Sequence, residues 1–366
     1  NNCINQSNML RQPTFWEDEF KQPLLKMDRG FIKEEGVDKI IERMANWRKQ
    51  LNIIDEELKP IDYGTEEPQR IFVLDAERTF ENDESKKRLV RILTYLNKQF
   101  GDYQQGMSFV TSFLMLGMEE HQAIAVLIKI NALLPGYWKH EAINFGTEAF
   151  TFYHLLGDFH PKIKAHLAAN LIDPATFCQR WFLGLCVHCL PFRQLFRFYD
   201  QFFEGGRDYL LRFGLALFGA LSDLVLATTN PNMIFGLLRL DTGVATTLTE
   251  KHFDEILDTT ANYDISKYDL EAIRKEQYDL KLKKRIESAH KVHDAVEEIS
   301  DCQWCMDNLP ELYCVECGKV VCQDCVDDGK GENHTEDHNL ISLEEYEDQL
   351  AQAKKDREQE ALTTKL

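Results

Sequence analysis

The chain has 366 residues, 44% of them hydrophobic and 11% aromatic with 23 Phe; that is enough apolar surface for two or three domains and excludes global disorder. Gly and Pro make up only about 8%, which argues against a turn-dense all-β chain or a collagen-like one. A net charge of −19 repels phosphate backbones, so nucleic acid and bare anionic lipid are disfavoured as partners.

The chain begins Asn1-Asn2-Cys3 rather than with Met and reads as a piece of a longer protein, with any targeting signal out of view. Residues 1–30 show no clear periodicity. Residues 31–51 carry Ile32, Val37, Ile40, Ile41, Met44 and Trp47 at helical spacing, which predicts a helix. Residues 52–70 hold two Pro, a Gly and many acids and read as a loop. From Ser85 to Phe100 an apolar stripe of Leu89, Ile92, Leu93, Leu96 and Phe100 ends at Gly101, the pattern of an amphipathic helix with a glycine stop. Met107 to Met118 predicts a second, more buried helix. Asp173-Pro174 supplies an N-cap and a first-turn proline, opening a helix expected to stop before Pro191.

Apolar helical segments continue to about Leu257. The longest apolar stretch, Phe213 to Ser222, is about half the ~20 residues of a membrane span. Alternation of period two is scarce before residue 310 and no long repeat is evident, so this part is expected to be all-α. Residues 265–300 are charged, with sparse apolar positions at Leu270, Ile273, Leu280, Leu282 and Ile286, and read as a mostly exposed connecting helix. Ser342 with Glu345 makes a capping box, opening a last helix that carries Tyr346, Leu350 and Ala353 on one side.

Two short motifs flank the 85–100 helix: Phe72-Val73-Leu74-Asp75-Ala76-Glu77-Arg78-Thr79-Phe80 and Tyr103-Gln104-Gln105-Gly106-Met107. A helix with turns at both ends can bring its flanking loops to neighbouring ends of the same bundle. Gln105 would then start a buried helix, where backbone N–H groups point outward and favour an anion. An Arg and a Gln side by side suit GTP hydrolysis in a small GTPase, which needs positive charge on the phosphoryl oxygens and a side chain that orients water. An arginine supplied in trans is worth about 10³–10⁵ in rate, and Lys lacks the planar fork that spans two oxygens.

In these blocks the sequence resembles the TBC domain of Rab GTPase-activating proteins, whose hallmarks are I-x-x-D-x-x-R and Y-x-Q-G-M; here Phe72 replaces the Ile. A third block also fits: Arg180-Trp181-Phe182-Leu183, Leu190-Pro191-Phe192, then Tyr199-Asp200-Gln201-Phe202-Phe203-Glu204-Gly205-Gly206. The resemblance implies an all-helical, two-lobed domain over residues 35–262. Arg78 would be an arginine finger and Gln105 a glutamine finger, with Asp75, Tyr103 and Gly106 supporting the finger loops. The chain would act as an activator supplying groups in trans, not as a self-contained enzyme. Its partner would be a Rab-family GTPase, which itself holds GTP and magnesium. The expected location is cytoplasmic, peripheral on endomembranes through that GTPase. Departures from the family pattern are Glu81, Ser108 and Tyr199 at three motif-adjacent positions. The family's usual R-x-x-x-W motif is not recognisable, with Trp16 a candidate for a diverged version. The rival expectations are a catalytically silent Rab-binding scaffold and a ubiquitin-pathway adaptor acting through the cysteine-rich tail.

Six of the ten Cys lie between Cys302 and Cys325; the others are Cys3, Cys178, Cys186 and Cys189. Residues 301–366 hold 17 acids and 6 bases and so form a distinct acidic module. Cys302-x2-Cys305, Cys314-x2-Cys317, Cys322-x2-Cys325 and His334-x3-His338 make four ligand pairs. Each pair can reach one ion in tetrahedral geometry, so eight ligands suit two structural zinc ions. Spacing alone leaves interleaved and sequential pairing open. The order of pairs and the flanking Pro310-Glu311-Leu312-Tyr313 and Asn339-Leu340-Ile341-Ser342-Leu343 resemble a B-box zinc finger, with a ZZ-type finger as the alternative. The B-box resemblance implies cross-bracing: Cys302, Cys305, Cys322 and Cys325 on one zinc, Cys314, Cys317, His334 and His338 on the other. The module could also carry a protein-binding surface. The whole chain then divides as N-terminal segment 1–34, TBC domain 35–262, connecting helix 263–300, double-zinc module 301–343 and C-terminal helix 344–366.

Three other features carry less. Cys186-Val187-His188-Cys189 looks like a redox or metal motif, but it sits in an apolar helical stretch and reads as core. His290 and His293 share a helix face and read as solvated. No Walker-A or dinucleotide fingerprint is present, so the chain is not expected to bind nucleotide on its own.

Overall fold

The structure, a computed structural model, describes residues 8–18, 28–54, 58, 61–65, 67–139, 142–241, 248–284, 286, 302–305, 310–329, 335, 337–346 and 349. It divides into two units, Asn1–Asp279 and Leu280–Leu366.

The first unit is helical. It opens with α1 (Pro13–Asp18), α2 (Arg29–Glu35) and α3 (Val37–Gln50). The predicted 31–51 helix is thus two helices, broken at Gly36 with φ 91°. Ahead of them, Met9, Leu10 and Phe15 are buried in the main core, although residues 1–30 lack any readable period. A helix of six residues is too short to show one.

Four helices form the next packing group: α4 (Arg70–Thr79), α5 (Asp83–Phe100), α6 (Gly106–Leu114) and α7 (Glu120–Leu133). The caps of α5 follow from its sequence. The Asn82 side chain accepts from Glu84 and Ser85 N–H, and Gly101 takes the left-handed conformation at φ 71°, which costs least without a Cβ. Its buried stripe is Leu89, Ile92, Leu93 and Leu96. In α4 the buried positions are Phe72, Asp75, Ala76 and Thr79, a helical i, i+3, i+4, i+7 stripe with a carboxylate inside it.

The remaining helices are α8 (Ile143–Phe159), α9 (Pro161–Ala169), α10 (Pro174–Phe182), α11 (Phe192–Ala220), α12 (Ser222–Leu226), α13 (Pro231–Leu238), α14 (Glu250–Thr259) and α15 (Leu270–Gln277). The long α11 breaks at Gly206. Asp173 caps α10 as expected, through its bond from Ala175 N–H at 2.8 Å. The helix ends at Phe182, well short of Pro191. Leu183 and Gly184 N–H both reach the Gln179 carbonyl and Cys186 N–H reaches the Arg180 carbonyl, while Leu185 and Cys186 are left-handed at φ 41° and 62°. Cys186 and Cys189 therefore lie on a buried turn, not inside a helix. No helix among the described residues is long and apolar enough to cross a membrane.

The segment read as an exposed connector is in part core. Arg274 and Gln277 of α15 are buried, and α15 packs on α8. Arg274 forks onto the fully buried Glu148 through Nε and Nη2, both at 2.8 Å. Arg207 adds a third bond to Glu148 at 2.7 Å. Residues 287–300, with His290 and His293, lie outside the described residues.

The second unit holds a three-stranded antiparallel sheet in the order β2-β1-β3: β1 (Leu312–Cys314), β2 (Lys319–Val321) and β3 (Leu340–Ser342). Leu312 pairs with Val321 on one side and Ser342 on the other. A short α16 (Gln323–Asp327) follows β2. After β3, the Ser342 hydroxyl accepts the Glu345 N–H at 3.1 Å and Tyr346 stacks on Tyr313 with ring centroids 3.6 Å apart. Almost all of the remaining tail, with Leu350 and Ala353, lies outside the described residues.

Candidate functional site

The two motifs that flank α5 meet at one buried carboxylate. Asp75 sits in the apolar stripe of α4 and is 3% exposed. Its Oδ2 accepts a hydrogen bond from the Tyr103 hydroxyl, and its Oδ1 faces Arg78 Nη1 at 3.7 Å, one turn along α4. Phe72 packs edge-on against Tyr103 with centroids 4.9 Å apart. Burial, together with the bond to Asp75, pushes the Tyr103 hydroxyl well above its ordinary pKa, so it stays a donor at every physiological pH. A charge-assisted bond of this kind is worth roughly 1.5–3 kcal/mol, and more is lost when a buried partner is orphaned. Asp75 thereby clasps the end of α4 to the loop before α6.

What this clasp presents is exposed. The Arg78 side chain is 59% exposed. Gln105 is exposed at the N-cap position of α6, where its side chain makes no capping bond, so the carboxamide is not consumed by the helix. Gly106 explains how α6 can start here. A Cβ at this position would lie 2.4 Å from the Leu183 carbonyl oxygen, which also accepts the Trp138 indole N–H at 3.0 Å. Beside Gln105 lies a cavity of about 260 Å³ lined in part by Gln104, Phe109, Gln179 and Arg180.

The third block is tied to α3. Arg43 Nε and Nη2 donate to Asp200 Oδ2 at 3.0 and 2.5 Å, and Trp47 Nε1 donates to Asp200 Oδ1 at 2.7 Å. Arg43 and Trp47 stand four apart on one helix.

A Rab-GTPase-TBC domain model matches residues 40–226, half of the chain. The chain belongs to the Rab-GTPase-TBC domain family. It also carries a B-box zinc finger, matched at residues 297–343. Mouse (Mus musculus) TBC1 domain family member 4 is 25% identical over 186 residues, covering 50% of this chain and 14% of that protein. The GTPase activating protein Gyp51 of Schizosaccharomyces pombe is 27% identical over 225 residues, covering 60% and 21%. Mouse TBC1 domain family member 10A is 30% identical over 133 residues, covering 36% and 26%. The matches thus span only a minor part of these relatives. Among solved structures, the Chlamydomonas flagellar RabGAP TBC domain is similar with a TM-score of 0.43 and 18% identity, covering 64% of this chain and 78% of that one.

The family's R-x-x-x-W motif is present after all. It is Arg43-Met44-Ala45-Asn46-Trp47, inside a helix already predicted, and the signal was the four-residue spacing of Arg and Trp. Trp16 takes no part; its indole N–H donates to the Leu10 carbonyl at 3.2 Å.

In the second unit, Cys302, Cys305, Cys322 and Cys325 bring four Sγ atoms within 4.8 Å of one another. Cys314, Cys317 and the His338 ring form a second group of the same kind, with His338 Nδ1 3.2 Å from Cys317 Sγ and 3.6 Å from Cys314 Sγ. His334 lies outside the described residues. Burial pushes the Cys302 thiol up, but N–H groups of Cys305, Cys322 and Trp304 outweigh it and hold the thiol down at about 6. A tetrahedral four-thiolate set is what zinc takes in closed structural sites. Among the described residues the packed core cluster of this unit is Cys302, Val321, Cys322 and Cys325; three of these four residues are ligand candidates, so the donor set fits a metal-dependent fold.

Proposed function

We propose that this chain accelerates GTP hydrolysis by a Rab-type small GTPase, with Arg78 and Gln105 supplied in trans. The observation that carries the reading is the Asp75 clasp, which holds Arg78 and the Gln105 loop at one carboxylate while leaving both side chains exposed. In hydrolysis, water attacks the γ-phosphorus of the partner's GTP and the bond to the β–γ bridging oxygen breaks, giving GDP and phosphate. Arg78 spreads positive charge over the oxygens that gain charge at the transition state. Gln105 positions the attacking water, as a side chain with one donor and one acceptor end can. GTP and magnesium belong to the partner. Docking removes water around Arg78, and its attraction to the phosphate strengthens accordingly.

The Cys302/Cys305/Cys322/Cys325 and Cys314/Cys317/His334/His338 sets are read as two structural zinc sites, closed to substrate. The activating surface lies within residues 35–262, and the protein is cytoplasmic, reaching endomembranes through the GTPase it binds. The test is phosphate release from a panel of GTP-loaded Rab GTPases with the chain added in catalytic amounts. The expected result is multiple-turnover acceleration of at least one member. Binding to GTP-loaded Rab with no acceleration of any would instead make the chain a silent scaffold.

A further inference from the structure

The third sequence block contains a guanidinium that neither the fold nor the finger chemistry uses. Trp181 and Phe182 are buried in the core, but Arg180 and Gln179 on the same last turn of α10 point outward. A cation at a helix C-terminus is favourable in itself, and that accounts for a basic residue here. It does not account for where this one points. Arg180 lines the cavity beside Gln105, together with Gln104, Phe109, Gln179 and His188. Among the described residues its side chain has no ion-pair partner, and no Asp or Glu lines the cavity. On a chain of net charge −19, an acid-free hollow holding an open guanidinium is an exception to the surrounding field.

We infer that Arg180 is a docking residue that receives a carboxylate from the GTPase loop seated against Gln105. The inference rests on the finger reading above: if Gln105 reaches the γ-phosphate, the partner loops around that phosphate must lie over this cavity. A volume of about 260 Å³ admits one or two side chains from such a loop. Phe109 and Leu183 give it apolar walls, and the Gln104 and Gln179 carboxamides give polar ones. The planar fork of Arg180 can hold a carboxylate through two parallel bonds. A GTPase with an Asp or Glu at that loop position would be preferred over one with a neutral or basic residue, so Arg180 contributes to which partner is chosen.

The experiment uses the full chain and a GTP-loaded Rab GTPase that the wild type activates. It compares Arg180→Ala, Arg180→Glu and Arg180→Lys for kcat and KM. Each variant is first confirmed to melt like the wild type, as an exposed position allows. Arg180→Ala should raise KM about tenfold with kcat unchanged, the size of a lost charge-assisted bond. Arg180→Glu should raise it further, Arg180→Lys should recover part of the loss, and added salt should narrow the gap between wild type and Arg180→Glu. A lysine placed at one acidic loop position of the GTPase should restore binding to Arg180→Glu. Unchanged KM in all variants overturns the inference while leaving the finger reading intact. A loss confined to kcat also overturns it, by placing Arg180 on the nucleotide instead. A wild type that activates no GTPase removes the finger reading and this inference together.

Discussion

At the scale of single residues, Asp75 decides the geometry. A carboxylate in an apolar helical stripe is expensive unless both oxygens are engaged, and here one faces Arg78 and the other takes Tyr103. Tyr103→Phe should cost about 1–3 kcal/mol of stability, because it leaves Asp75 buried with half its partners. It should also lower kcat more than it raises KM, since the Gln105 loop loses its anchor. A thermal melt and a kcat/KM dissection check this, and wild-type values in both would dismiss the clasp. Gly106 sets a second limit. Gly106→Ala puts a methyl group 2.4 Å from the Leu183 carbonyl, which should lower stability by about 1–3 kcal/mol and displace Gln105. A variant with unaltered melting and activation would show that α6 can shift freely.

At the scale of elements, the helix pairs are held by a few half-buried or buried charges. Glu120 at the start of α7 bonds Arg91 of α5 at 2.5 Å and accepts from Tyr63 at 2.5 Å. Burial pushes the Glu120 carboxyl up, but its bonds from Arg91 and Tyr63 outweigh this and hold it below its ordinary 4.5. A carboxyl depressed in the folded state contributes fully above the unfolded pKa, and the contribution is lost as pH falls through the folded value. The stability advantage of wild type over Glu120→Gln should therefore shrink as pH drops below about 4.5; a gap constant with pH would contradict the assignment. Likewise Arg274→Met should cost about 3–5 kcal/mol by leaving Glu148 under-paired, read from denaturant unfolding. No loss would return α15 to the status of an exposed connector.

These same elements show what a sequence can and cannot reveal. The α5 helix was legible from Ser85 on because a long segment carries a full stripe and a glycine stop, while its true start at Asp83, capped by Asn82, was not read. The end of α10 was not legible, because an irregular turn whose N–H groups fold back onto the Gln179 and Arg180 carbonyls makes it, with two non-glycine residues in left-handed backbone and the Leu183 carbonyl taken by Trp138 from 45 positions away. Residues 265–279 looked exposed because Arg274 reads as surface until Glu148, 126 positions away, is known to face it. Arg78 and Gln105 stood out as a pair of motifs with a helix between. Arg43 and Trp47 carried a readable signal in their four-residue spacing, but it was hidden inside an ordinary helical stripe in which Trp47 counts as one more apolar position, and only their shared partner Asp200 sets the pair apart.

At the scale of the whole molecule, the two units fold on different principles. Residues 8–279 contain a large aromatic and aliphatic core. Among the described residues the second unit buries chiefly cysteine, so metal is expected to supply much of its folding energy. A strong chelator should unfold the second unit while the helical unit retains its circular dichroism, and metal analysis of the reduced protein should find about two zinc ions per chain. A tail that keeps its structure without metal would contradict this.

The central claim is that Arg78 and Gln105 act on another protein's γ-phosphate. Single-turnover GTP hydrolysis by an activated Rab GTPase, measured with wild type, Arg78→Ala and Gln105→Ala, tests it most directly. Arg78→Ala should lose about 10³-fold or more of the acceleration and Gln105→Ala a large part of it, while both still bind the GTP-loaded partner. Full acceleration by the two variants would contradict the finger mechanism.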